Sequence, residues 1–216
     1  ALSGEGLTAA LEATAEAHKH YVIGEDPLNR KGISRKLRRY PFAWRGGKLI
    51  NAVAAAVDIA LWDIAGKHYG EPVWKLLGGK VRDEVPVYAN GWHIGERTPE
   101  NYAHHAKKAV DAGYPALKCD PFAHYEHSLT DDQLDEVAEL LGAVRDAVGW
   151  DVGIALDCHG RFTRRGAIEV ADAHSEYDIM FLEEPVELED REVMGDVTQH
   201  ADMPVATGER IYNNQT

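Results

Sequence analysis

From residue 85 the sequence repeats a short apolar run, a polar turn and a longer amphipathic stretch, and this alternation restricts the fold more than any other feature. The runs "VPVYANG" (85–91), "ALKCD" (116–120), "VGIALDCH" (152–159), "IMFLEEP" (179–185) and "MPVATGER" (203–210) have strand length. The stretches between them read as helices. "TPENYAHHAKKAVDAG" (98–113) carries Thr98 as a cap, Pro99 in its first turn and Gly113 past its end. "TDDQLDEVAELLGAVRDAVG" (130–149) opens on Thr130 and Gln133, the spacing of a capping box. Further helices are expected over about 164–177 and 188–201. Strands joined by helical crossovers pair in parallel, so the region is α/β with a parallel sheet.

Two architectures meet that description. A doubly wound nucleotide-binding sheet needs a glycine-rich turn after its first strand, and none follows "VPVYANG". The polar residues gather instead at the C-terminal ends of successive strands, the rim that carries the active site in a (β/α)8 TIM barrel. A barrel has eight strands and five are visible, so the expectation is a barrel interrupted after its fifth strand, with the remainder beyond residue 216.

Residues 1–80 read as helical and contain no clear strand. Thr8 is expected to cap a helix running to about Tyr21, "LINAVAAAVDIALWDIAGKHYG" (49–70) to form a helix stopped by Gly70, and "EPVWKLLGG" (71–79) a short one. The basic stretch "RKGISRKLRRYPFAWRGGK" (30–48) is read as a solvated face or loop in preference to a nucleic-acid surface. The chain as a whole carries 36 acids against 23 Lys plus Arg, a net charge of −13, which opposes attraction to nucleic acid or anionic membrane. No apolar run is read as a membrane span and no secretory signal pattern is visible, so the expected location is the cytoplasm. Cys119 and Cys158 are expected to be free buried thiols there.

Side chains alternate faces along a strand, so Asp157 and His159 are expected to point together and Cys158 away; Lys118 and Asp120 share a face in the same manner. Glu183 and Glu209 end the next two strands. Asp157, Glu183 and Glu209 are spaced 26 residues apart, one β/α unit each time, which predicts three carboxylates at one level on adjacent strands. Three converging acids repel unless a cation holds them, and hard oxygen donors suit Mg²⁺.

With these residues in view, the sequence resembles the enolase superfamily, in its mandelate racemase-like branch of acid-sugar dehydratases. "VDIALWDIAGKHYGEPVWKLLGG" resembles the segment leading from that family's capping domain into its barrel. "VRDEVPVYANGW", "ALKCDPF", "LDCHGRF", "FLEEPV" and "PVATGER" resemble the first five barrel strands. The resemblance implies that residues 1–80 are the helical part of an N-terminal α+β capping domain and 81–216 the first five barrel units. It makes Asp157, Glu183 and Glu209 the Mg²⁺ ligands and His159 the acid that protonates a departing hydroxyl. Lys118 matches the first lysine of a second-strand motif, holding or polarising a substrate carboxylate. Asp120 stands where a second lysine would be, which argues against a lysine-based racemase; it and Arg161 are assigned to substrate. The cap's N-terminal strands and the seventh-strand histidine base would lie outside residues 1–216.

The implied activity is that of a lyase: dehydration of an aldonic acid such as galactonate or gluconate, through an enediolate, to a 2-keto-3-deoxy acid. Its partner would be that small molecule, and full-length members usually form homo-oligomers. Two other readings stay open at this point, an epimerase or cycloisomerase on the same scaffold and an inactive barrel fragment. "HYEH" (124–127) is read either as a mobile rim segment or as a ligand pair, and His104 and His105 as helix surface.

Overall fold

The computed structural model describes residues 5–40, 47–187 and 191–211. The chain divides into two compact units, one running through Asp83 and the other spanning Glu84–Arg210.

The first unit is helical: α1 (Glu5–His18), α2 (Arg30–Arg39), α3 (Lys48–Tyr69) and α4 (Val73–Leu76). Its small core joins Ile33 and Leu37 of α2 to Ala54 and Leu61 of α3. The stretch from residue 30 is therefore a helix through Arg39 and not a loop. The four-residue step from Ile33 to Leu37 aims both at α3, while Arg30 pairs with Asp58 at 2.7 Å and Arg38 donates to Asn51 at 2.6 Å. Residues 41–46 of that stretch lie outside the described residues. Thr8 lies inside α1, so it does not cap it. Gly70, in the left-handed region at φ +66°, ends α3 as expected. At 22 residues α3 is long and apolar enough by length and composition to cross a membrane; it carries Asp58 and Asp63, and its Ile50, Val53, Ala54 and Leu61 are buried within the protein.

The second unit is a parallel sheet with strands in chain order: β1 (Ala89–Asn90), β2 (Ala116–Cys119), β3 (Gly153–Asp157), β4 (Ile179–Glu183) and β5 (Val205–Ala206). The crossovers are α5 (Pro99–Asp111), α6 (Asp131–Val148), α7 (Arg164–His174) and α8 (Arg191–His200). Thr98 accepts from the Asn101 N–H, and Thr130 and Gln133 close the capping box. Residues 188–190 of the expected last helix lie outside the described residues. The edge strands are shorter than their apolar runs: Val85 and Val87 are exposed, and pairing to β2 begins only at Ala89.

The core lies on one face of the sheet. Leu117 and Cys119, Ile154 and Leu156, and Leu182 point at the helices, meeting Ala106, Val137, Leu141 and Val170 among others. The alternate residues Lys118, Asp157 and Glu183 therefore occupy the other face. Below the sheet, at the N-terminal ends of β3 and β4, buried Arg145 of α6 donates to the carbonyls of Gly149, Val152, Tyr177 and Asp178 at 2.6–3.1 Å. One guanidinium thus satisfies the turns that feed two strands. Arg145→Met should orphan these carbonyls and lower the unfolding free energy by about 2–4 kcal/mol, read as a shifted midpoint in urea titration; an unshifted midpoint would show that water replaces the side chain.

Candidate functional site

The parallel register sets the centre of the site. Asp157 pairs with Glu183 across β3 and β4, and Lys118 pairs with Ala155 one step lower on β2. Two carboxylates on neighbouring strands then face the same side. Lys118 Nζ fills the place between them, 2.7 Å from Asp157 Oδ2 and 2.5 Å from Glu183 Oε2. Lys118 and Asp157 are buried and Glu183 nearly so. Burial alone would lower the Lys118 ammonium, but hydrogen bonds to the two carboxylates outweigh it and hold the group above the ordinary lysine range.

His159 follows the end of β3. The strand stops at Asp157, and His159 and Gly160 both take left-handed backbone, φ +52° and +72°, so strand alternation does not carry through to His159. A turn keeps it near the acid instead: its N–H donates to Asp157 Oδ1 at 3.2 Å, and its Nε2 lies 3.6 Å from Asp157 Oδ2. Its Nδ1 is 3.0 Å from both Asp120 Oδ2 and Arg161 Nη2. A single ring nitrogen cannot serve both. Donation of Nδ1–H to the carboxylate is the favourable choice, because guanidinium offers only donors and already forks onto Asp120 through Nη1 and Nη2. His159 is half-exposed, whereas Asp120 and Arg161 are mostly covered. Asp120, Arg161 and His159 thus form one connected group. The sequence placed them at one rim but did not foretell that they pair.

Glu209 departs from the expected level. The β5 partner of Glu183 is Ala206, and Glu209 lies three residues further on, in an exposed turn beyond Gly208. The cause is the brevity of β5, which turns away after two residues. Among the described residues no group of three His, Cys, Asp or Glu is close enough to hold a metal ion. The chemistry of the donors nevertheless suits Mg²⁺: two carboxylates already converge on one cationic nitrogen, and Glu209 has no hydrogen-bond or ion-pair partner among the described residues.

Sequence reasoning assigned no role to the pair Glu184 and Arg210, which follow Glu183 and Glu209. Glu184, fully buried, accepts from Thr207 Oγ1 at 2.7 Å, from the Gly208 N–H at 2.8 Å and from Arg210. Burial would raise its carboxyl, but these donors prevail and keep it below the ordinary glutamate range. Alternation along the strand already turns Glu184 away from Glu183 toward the helix layer; its pairing with Arg210, 26 residues on, has no local signal. The "HYEH" segment is clasped to the next loop: His127 N–H donates to the Arg161 carbonyl at 3.0 Å, and its own carbonyl accepts from Thr163 N–H at 2.9 Å. Cys119 and Cys158 are free and buried, and burial pushes the Cys119 thiol up to about 12, which leaves it an inert core residue.

The lysine bridge gives a pH-dependent prediction. Because Lys118 is held above its ordinary value, its pairing contributes stability that is complete below pH 10.5 and lost as pH rises through its folded value. Lys118→Met should cost about 3–5 kcal/mol at pH 7, because it leaves two largely buried carboxylates without a cation, and much less in a background that also carries Asp157→Asn and Glu183→Gln, in paired urea titrations. Equal losses in both backgrounds would mean that packing, and not charge, is what Lys118 supplies.

Residues 101–216 match the family model described as "Enolase C-terminal domain-like", and residues 3–78 the "Mandelate racemase / muconate lactonizing enzyme, N-terminal domain". The chain is 38% identical over 207 residues to the D-gluconate dehydratase of Thermoproteus tenax, covering 96% of this chain and 41% of that protein. It is 33% identical to the D-galactonate dehydratase of Pectobacterium atrosepticum, covering 97% and 54%. A crystal structure of a member of the enolase superfamily from Salmonella Typhimurium superposes with a TM-score of 0.90 at 34% identity, over 99% of this chain and 60% of that one. The chain spans about half the length of the curated relatives it matches. With both family models matched in order and the strand-end acids on one rim, the chain belongs to the enolase superfamily, in its mandelate racemase/muconate lactonizing enzyme branch.

Proposed function

We propose that the protein containing this chain is a Mg²⁺-dependent lyase that dehydrates an aldonic acid of the gluconate or galactonate class to a 2-keto-3-deoxy acid. The observation that carries the reading is the position of His159, whose open Nε2 stands beside the carboxylates at the strand ends while Asp120 holds its Nδ1. The names of the relatives, D-gluconate and D-galactonate dehydratases, support the substrate class.

In this reading Asp157, Glu183 and Glu209 hold the metal. When bound, Mg²⁺ supplies positive charge beside the substrate carboxylate while the α-hydrogen is removed. The described residues supply the second half of the reaction. Hydroxide leaves poorly, so the β-hydroxyl must depart as water, and it takes its second proton from His159 Nε2. Asp120 accepts from Nδ1–H, which fixes the orientation of the ring and leaves Nε2 as the proton donor. Arg161 keeps Asp120 in place through its two-nitrogen fork. Lys118, whose Nζ lies 5.9 Å from the Tyr88 ring, would hold or polarise the substrate carboxylate once the two acids were taken up by the metal.

The test uses the complete reading frame that contains these 216 residues, assayed with Mg²⁺ against hexonic and pentonic acids for 2-keto-3-deoxy product. Product should disappear with EDTA. His159→Asn should lower kcat by about 10²–10⁴-fold while α-hydrogen exchange with deuterated water continues. Exchange without dehydration in the unaltered protein would move the assignment to an epimerase or cycloisomerase.

A further inference from the structure

The guanidinium of Arg210 lies where the ends of three strands meet. Its Nη2 and Nε are 2.8 and 3.1 Å from Glu184 Oε2, its Nη1 is 2.7 Å from Glu187 Oε2, and Nη2 also reaches the Val186 carbonyl at 3.3 Å. On its other side it packs against the backbone of Gly160. A Cβ built there would stand 2.6 Å from Nη2, so a side chain at 160 would displace the guanidinium. Gly160 N–H in turn donates to the Glu184 carbonyl at 2.6 Å. The residue after His159, the residue after Glu183 and the residue after Glu209 are thus joined in one cluster.

We propose that Arg210 is a positioning residue that fixes the turn carrying the third carboxylate, Glu209, by clamping the segment after β5 to Glu184 and Gly160, and so restricts where that carboxylate can meet a metal held by Asp157 and Glu183. The proposal rests on the metal reading given above. Glu184 binds the turn from one side through Thr207 Oγ1 and Gly208 N–H, and Arg210 closes it from the other. Backbone freedom at 207–210 is thereby removed, and the exposed Glu209 carboxylate keeps only its own rotamers to search for a cation. β5 cannot do this alone, because its pairing with β4 ends at Ala206, three residues short of the ligand. Gly160 serves the same clamp: its missing side chain is the space the guanidinium uses. Outer groups that orient metal ligands typically contribute about 10- to 100-fold to metal affinity.

The experiment is a Mn²⁺ titration of the complete protein followed by electron paramagnetic resonance, with Arg210→Met, Arg210→Lys and Arg145→Met beside the unaltered protein. Arg210→Met should bind Mn²⁺ at least tenfold more weakly, with a changed spectrum of the bound ion. Arg145→Met, which loosens the opposite end of the sheet, should lose stability and keep its Mn²⁺ affinity. Should Arg210→Met fail to fold, Arg210→Lys decides: it keeps a charge for Glu184 but cannot span Glu184, Glu187 and Val186 together, and it too should bind at least tenfold more weakly. Unchanged Mn²⁺ affinity in a folded Arg210 variant overturns the proposal and leaves the metal reading intact. Absence of Mn²⁺ binding in the unaltered protein overturns the metal reading and this proposal with it.

Discussion

Everything at the rim is arranged around two acids that cannot be left alone. Parallel strands lie about 4.8 Å apart, so the register that sets Asp157 beside Glu183 forces two carboxylates together in a place water barely reaches. At an effective dielectric of about 20, two like charges some 5 Å apart cost about 3 kcal/mol. A cation between them is therefore a condition of the fold in this register and not an addition to it. Lys118 meets that condition from β2, the strand on the other side of β3, and it does so from the face opposite Leu117 and Cys119. The same alternation that buries the apolar residues under the helices thus delivers the charged ones to a single point.

Two arginines divide the work of holding this sheet. Arg145 ties the turns entering β3 and β4 by donating only to backbone carbonyls, so it touches nothing that could react. Arg210 ties the exits of β3, β4 and β5 and sits one residue from an exposed glutamate. The contrast follows the polarity of α/β barrels, in which the N-terminal face serves stability and the C-terminal face chemistry. Lysine would serve at neither position, because each site needs several donors diverging from one planar group.

Much of this was legible in the sequence, for reasons particular to each element. Thr98 with Pro99, and Thr130 with Gln133, are local signals, and the helices they begin are where the spacing put them. The alternation in "ALKCD" and "IALD" separated Lys118 and Asp157 from the core correctly, since a strand repeats every two residues. Signals failed where the outcome depended on distant partners. "VPVYANG" has the composition of a long strand, yet only Ala89 and Asn90 find a neighbour on β2. The basic stretch after residue 30 looked solvated because its charges outnumber Ile33 and Leu37, the two residues that place it as a helix against α3. Equal spacing of Asp157, Glu183 and Glu209 suggested equal height, but spacing counts residues and not where a strand ends, and β5 ends at Ala206. The links from Asp120 to His159 and from Glu184 to Arg210 join residues 39 and 26 positions apart, which no local pattern records.

Backbone strain is distributed in the same direction. Of the five described non-glycine residues with positive φ, four follow strand exits: Ala123 and His127 after β2, His159 after β3 and Glu184 after β4. Such conformations cost about 1–3 kcal/mol each and persist only where neighbours over-determine them. Here the neighbours can be named. His159 N–H is held by Asp157, Gly160 N–H by the Glu184 carbonyl, Glu184 N–H by the Ala206 carbonyl, and His127 N–H by the Arg161 carbonyl. His127 and Gly160 lean on the loop after the next strand and Glu184 on the next strand itself, so these rim loops support one another. A sheet that bears this cost at one end needs a firm hold at the other, and Arg145 with the apolar face of β2, β3 and β4 provides it. The strain at His159 turns its imidazole back over Asp157, a direction that straight continuation of β3 would not have given.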